Sequence, residues 1–138
     1  MPREIASLAR EQCPDVDALA GLFFEAAEIE ARLPRVLRER IRASWPDAPD
    51  DWQAFGWHEV QAPSRPATPS EVTRYDLALR ITPLVSEDDR RLIWAVAHSA
   101  VRRERGPAWH KLARITALHP STIKRRFETA IIELYYKI

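Results

Sequence analysis

The chain has 138 residues, 46% of them hydrophobic and 30% charged, with five tryptophans and a net charge of +1. That composition supports one sizeable core and argues against intrinsic disorder. No run approaches the roughly eighteen apolar residues of a membrane span, the start MPREIASLAR lacks the apolar core of a signal peptide, and the lone Cys13 suits a reducing cytoplasm. The small net charge hides a division. Residues 101–138 hold nine basic side chains against three acidic ones, a net +6, whereas the first hundred hold twelve against seventeen, a net −5. A basic end on an acidic body is a cue for binding a polyanion.

Apolar residues recur at helical spacing nearly throughout, only three glycines occur, and no strand pattern stands out, so the fold class is all-α, a multi-helix domain. Asp15 or Asp17 caps a first helix whose apolar stripe is Leu19, Leu22, Phe23, Ala26, Ile29 and Leu33, ended by Pro34. A second stretch turns Val36, Leu37 and Ile41 inward until Pro46, and Trp45, Trp52, Phe55 and Trp57 then read as aromatic anchors on the core. Residues 1–62 thus form an N-terminal helical region suited to self-association or partner docking, and residues 63–68 a proline-rich connector. The last part, 69–138, is a helical domain that holds most of the basic end. Its first helix opens on a capping box, with Thr68 at N-cap, Pro69 at N1 and Glu71 at N3, and faces Val72, Tyr75, Ala78 and Leu79 inward until Pro83. Ser86 caps the next helix, which buries Leu92, Ile93, Val96, Ala97 and Ala100. Pro107 begins a short helix with Trp109, Leu112, Ala113 and Thr116 inward, and the last helix runs from Pro120 to about Lys137.

The last two helices meet the demands of a helix-turn-helix at about 107–136. Such a motif needs a small residue where the helices cross, a small or αL-tolerant residue and an apolar plug in the turn, and an apolar inner face on the second helix. Ala113, Ala117, Leu118 and the series Ile123, Phe127, Ala130, Ile131 and Leu134 occupy those places. With that series inward, Ser121, Thr122 and Arg125 project outward toward bases, and Lys124 and Arg126 flank them within reach of phosphates. Lys111, Arg114 and His119 complete the candidate DNA-binding set. Free amides at the start of the second helix would add a phosphate seat, less the one Pro120 lacks. His119 is a poor N-cap unless Ser121 takes that role.

The stretch EDDRRLIWAV followed by WHKLARITALHPSTIKRRFETAIIEL resembles region 4 of bacterial sigma factors and related LuxR-type helix-turn-helix domains. Thr122, Ile123, Lys124 and Arg126 match their T-[VI]-K-x-R recognition pattern, and Ala117 stands where they often carry glycine. The resemblance covers about residues 84–136. It departs from the pattern in the longer, more basic HSAVRRERGPAW loop and at His119-Pro120, so base preferences do not carry over. The rest of the chain is similar to an uncharacterised family of small proteins from phages and alphaproteobacteria. The resemblance supports double-stranded DNA as partner and implies RNA polymerase as a further contact; the N-terminal helices suit a homo-oligomer, a dimer before other states if the protein is a regulator.

No catalytic chemistry is legible. His58, His98, His110 and His119 do not pair at the spacing of a helical metal site, no cysteine cluster accompanies them, and no glycine loop cradles a phosphate. The sequence therefore reads as a non-enzymatic, cofactor-free, cytoplasmic DNA-binding protein, a phage- or prophage-associated transcriptional regulator. The alternatives are a DNA-packaging accessory such as a terminase small subunit, working as an oligomeric ring, and a helical protein-interaction module that never touches DNA.

Overall fold

A computed structural model describes residues 3–33, 65–101 and 103–138. The expectations for Val36, Leu37, Ile41 and the aromatics Trp45, Trp52, Phe55 and Trp57 lie outside these residues. The described chain is all-α, with six α-helices, one 3-10 turn and no strand. Helix α1 (Arg3–Gln12), for which the sequence offered no cap, carries Ile5 and Ala9 inward and ends where the Cys13 amide donates to the Ala9 carbonyl at 2.8 Å. Helix α2 (Val16–Arg32) starts because the Asp15 carboxylate accepts from the Ala18 amide at 2.7 Å, and it ends at Leu33 ahead of Pro34. Its buried stripe is Leu19, Leu22, Phe23, Ala26, Ala27 and Ile29.

The capping box forms as the residue types require. Thr68 Oγ1 accepts from the Glu71 amide, and the Glu71 carboxylate accepts from the Thr68 amide at 2.8 Å, opening α3 (Pro69–Ile81). A 3-10 turn over Thr82–Leu84, containing Pro83, follows, and Ser86 caps α4 (Glu87–Ala100). Helix α5 (Trp109–Thr116) starts two residues later than Pro107 suggested, with no side-chain cap. Ala117 is left-handed at φ 55°, ψ 29°, and α6 (Pro120–Lys137) closes the chain.

Helix α2 is the hub. It packs against α3, α4 and α6, while α1 sits on α3 and α5 sits on α6 and α4. Helices from both sides of the 63–68 connector therefore share one core, centred on Leu19, Leu22, Phe23, Ile81, Ile93, Ile123, Ile131 and Leu134. Trp94 meets Phe23 edge-on at 5.5 Å and donates its indole N–H to Thr82 Oγ1 at 3.3 Å, so the one buried polar side chain of the described core is satisfied. The last helix is pinned to the opposite end of the chain, with Tyr135 donating to the Pro14 carbonyl at 2.8 Å and Ile138 buried.

The inward face expected for α3 is corrected. Leu77, Ala78 and Ile81 are buried and Tyr75 is half-buried, whereas Val72 and Leu79 are exposed. The helix is rotated because Arg74 takes an inward position. Its guanidinium pairs with Glu25 at 2.8 Å and donates to Gln12 Oε1 at 3.1 Å, joining α3 to α2 and α1. Thr116 is corrected likewise: it is exposed, its hydroxyl donating back to the Leu112 carbonyl at 2.8 Å.

Candidate nucleic-acid interface

The 18-residue α6 buries Ile123, Phe127, Ala130, Ile131 and Leu134, all on one side. At 100° per residue those positions fix the outward line, which runs through Ser121 and Arg125, with Lys124 and Arg126 one step to either side and Thr122 beside them. All five are exposed, as are Lys111 and Arg114 on α5 and His119 at the corner. None of these cations forms a salt bridge with a described residue, in contrast to Arg32, Arg65, Arg74, Arg80 and Arg91, which are all paired. Among the described residues, no carboxylate pairs with Lys111, Arg114, Lys124, Arg125 or Arg126.

The corner holding the two helices together follows from the small residues in it. Ala113 is half-buried against the core, and Phe127 of α6 lies 6.0 Å from Trp109 of α5 and 6.0 Å from Phe24 of α2. This aromatic chain sets the placement of α6 on the rest of the molecule. Ala117 adopts the left-handed conformation the turn requires, without the glycine that would adopt it freely. Leu118 does not plug the turn; it is 37% exposed.

The start of α6 differs from expectation in a way that matters for anion binding. His119 is the N-cap after all: its Nδ1 accepts from the Ser121 amide at 3.3 Å and lies 2.7 Å from Ser121 Oγ. In the neutral ring the proton then sits on Nε2. The Thr122 amide donates to the His119 carbonyl at 3.0 Å, and Pro120 has no amide hydrogen. The first-turn amides are therefore engaged, and the phosphate seat expected there is not open. Anion contacts at this end fall to side chains.

Two further exposed features belong to the basic end. Arg103 and Arg105 lie on a tight turn, closed by the Gly106 amide donating to the Arg103 carbonyl at 3.4 Å, with Gly106 at φ 79°. The basic HSAVRRERGPAW loop expected from the sequence thus holds a glycine turn with both of these arginines exposed. Ile115, on the outer side of α5 between Lys111 and Leu118, is 72% exposed. Only the period of α5 relative to its buried Leu112 could have revealed that.

Elsewhere the chemistry is of another kind. A groove of about 720 Å³ runs between α2 and the turn after α4, and its rim includes Glu25, Glu28 and Glu104 beside Phe24 and Pro107. Three carboxylates against the single cation Arg103 leave its lining net negative, which disfavours a polyanion. Burial pushes the Cys13 thiol above its ordinary value, the reverse of an activated nucleophile. Among the described residues, no three His, Cys, Asp or Glu side chains converge as a metal site, and no helix is long and apolar enough to cross a membrane.

No curated protein and no solved structure matches the chain. A family model matches residues 31–134, which take in α3, α4, α5 and most of α6, so the whole candidate interface lies inside it while α1 and most of α2 precede it. The chain belongs to that family, a domain of unknown function (DUF6362).

Proposed function

We propose that the protein binds double-stranded DNA through α5, the Ala117 turn and α6, used as a helix-turn-helix, and that it acts in the cytoplasm as a phage- or prophage-associated transcriptional regulator. One observation carries this reading. The face of α6 opposite its buried stripe presents Ser121, Thr122, Lys124, Arg125 and Arg126, exposed and without a salt bridge to any described residue. A helix entering the major groove needs such a face, with polar side chains for base edges and cations for the backbone on either side. The first two turns of α6 gather +3 on successive residues and hold no acidic residue, Glu128 coming only in the third turn, which favours an anionic partner over a merely solvated face.

In this reading Arg125 reads base edges, Lys124, Arg126, Lys111 and Arg114 hold phosphates, and Thr122 and Ser121 touch whichever edge lies beneath them. Contact with RNA polymerase rests on the resemblance to sigma region 4 alone. The test is selection of bound duplexes from a random pool, repeated at two salt concentrations, with two variants. Arg125→Ala should cost about 1–3 kcal/mol at one base position and relax the preference there. Lys124→Ala should weaken all sequences alike and reduce the salt slope by about one ion. If neither change alters binding to any duplex, this surface is not the reader.

A further inference from the structure

Three places on the described surface expose large apolar side chains in groups. Val72 and Leu79 on α3 flank Asp76, whose charge is already spent on Arg80 at 2.7 Å. Ile132 and Tyr136 on α6 sit beside Lys137, which is hooked to the Leu84 carbonyl at 3.1 Å. The third group is different. Ile115 on the outer side of α5 and Leu118 in the turn that follows it are exposed within a few residues of Lys111 and Arg114, neither of which has a salt bridge with a described residue. A phosphate backbone rewards the two cations and gains nothing from the two aliphatic side chains beside them. A protein surface with an apolar centre and an acidic rim satisfies both at once.

The chain itself carries such a surface. On α1 the exposed Leu8 lies between Glu4 and Glu11, one turn before and one turn after it on the same outer line, and neither carboxylate has a salt bridge with a described residue. Both groups remain exposed in the folded chain, so they do not cover one another. Helix α1 is seated on α3, and α5 on α4 and α6.

We infer that the Glu4–Leu8–Glu11 face of one copy docks on the Lys111–Arg114–Ile115–Leu118 face of a second copy. The contact is heterologous: each copy keeps one unused patch of each kind, so association continues head to tail into a ring or an open chain and does not stop at two. The groups involved are few compared with a stable interface, so the contact is weak and depends on concentration and salt. Because Lys111 and Arg114 also belong to the proposed DNA surface, a bound duplex displaces the neighbouring copy.

The full chain is measured by sedimentation velocity from micromolar to sub-millimolar concentration, at about 50 mM and about 500 mM salt. The average mass should climb past that of a dimer at low salt and return toward the monomer at high salt. Leu8→Asp and Ile115→Asp, both on exposed positions, should each leave a monomer. An equimolar mixture of the two variants should give a dimer and nothing larger, since only one complementary pair of faces survives. Wild-type protein that stays monomeric, single variants that associate like wild type, or a mixture that stays monomeric would each overturn the inference. Leu8→Asp, remote in sequence from the basic set, is also titrated with duplex. If it binds DNA while wild type fails to associate, only this inference falls; if association behaves as described and no duplex binds, only the DNA reading falls.

Discussion

Ala117 carries the conformational cost of the corner between α5 and α6. Its φ of 55° makes it the only non-glycine residue with positive φ among those described. The left-handed conformation costs an L-residue about 1–2 kcal/mol because Cβ crowds the following carbonyl. Glycine removes that cost but adds unfolded-chain freedom worth about 0.4–1 kcal/mol. Ala117→Gly should therefore stabilise the protein by about 0.5–1 kcal/mol, raising Tm by about 2–4 °C. Ala117→Val, branched at Cβ, should move Tm the other way. A thermal scan of the three proteins decides it, and a Gly variant less stable than wild type would mean the turn is not left-handed in solution.

At the level of elements, local chemistry at helix starts was the part most legible in the sequence. Asp15, Thr68 with Glu71, and Ser86 all cap where their types and spacing indicated, because a side-chain acceptor and the amide three residues on meet whatever the tertiary context. The inner face of α6 was equally readable, since five apolar residues at 3.6-residue spacing leave one solution. What failed was the rotation of α3. Counting apolar residues placed Val72 and Leu79 inside, but a guanidinium partnered by Glu25 and Gln12 holds the inward position instead, and those partners lie about fifty and sixty residues away. Helix α1 was missed for the same reason, since packing against α3 fixes it, whereas the exposure of Ile115 follows from the period of α5 about its buried Leu112. The α3 start also makes a pH prediction. Glu71 is held down to about 2 from its usual 4.5, first by the Thr68 amide and then by Arg32, with Arg65 adding to it. A carboxyl depressed on folding contributes stability that is complete above its ordinary pKa and lost as pH falls through the folded value. Glu71→Gln can keep the cap but not the charge. Denaturant titrations should show wild type more stable than this variant above about pH 4.5, the gap closing toward about pH 2. A gap that stays constant across that window would show that the charge contributes nothing.

At the scale of the whole molecule, the candidate interface is packed directly on helix α2 of the N-terminal region. Phe127 is the joint: it is buried on α6, touches Trp109 of α5 and Phe24 of α2, and so ties the basic corner to the hub helix. Tyr135 bonded to the Pro14 carbonyl and Lys137 bonded to the Leu84 carbonyl fasten the other end of α6 to the α1–α2 and α3–α4 junctions. If these contacts make a single cooperative unit, the slowest-exchanging amides of α2 and of α6 report the same global opening. Replacing a buried phenylalanine with alanine costs about 3–5 kcal/mol in lost transfer energy and residual cavity. Phe127→Ala should therefore speed exchange in α2 and in α6 by the same factor, about a hundredfold or more. Native-state hydrogen exchange measures both helices in one experiment. If α6 loosens while α2 keeps its protection, the helices after the connector unfold on their own, and the basic corner is a separate module hinged to an independent N-terminal half.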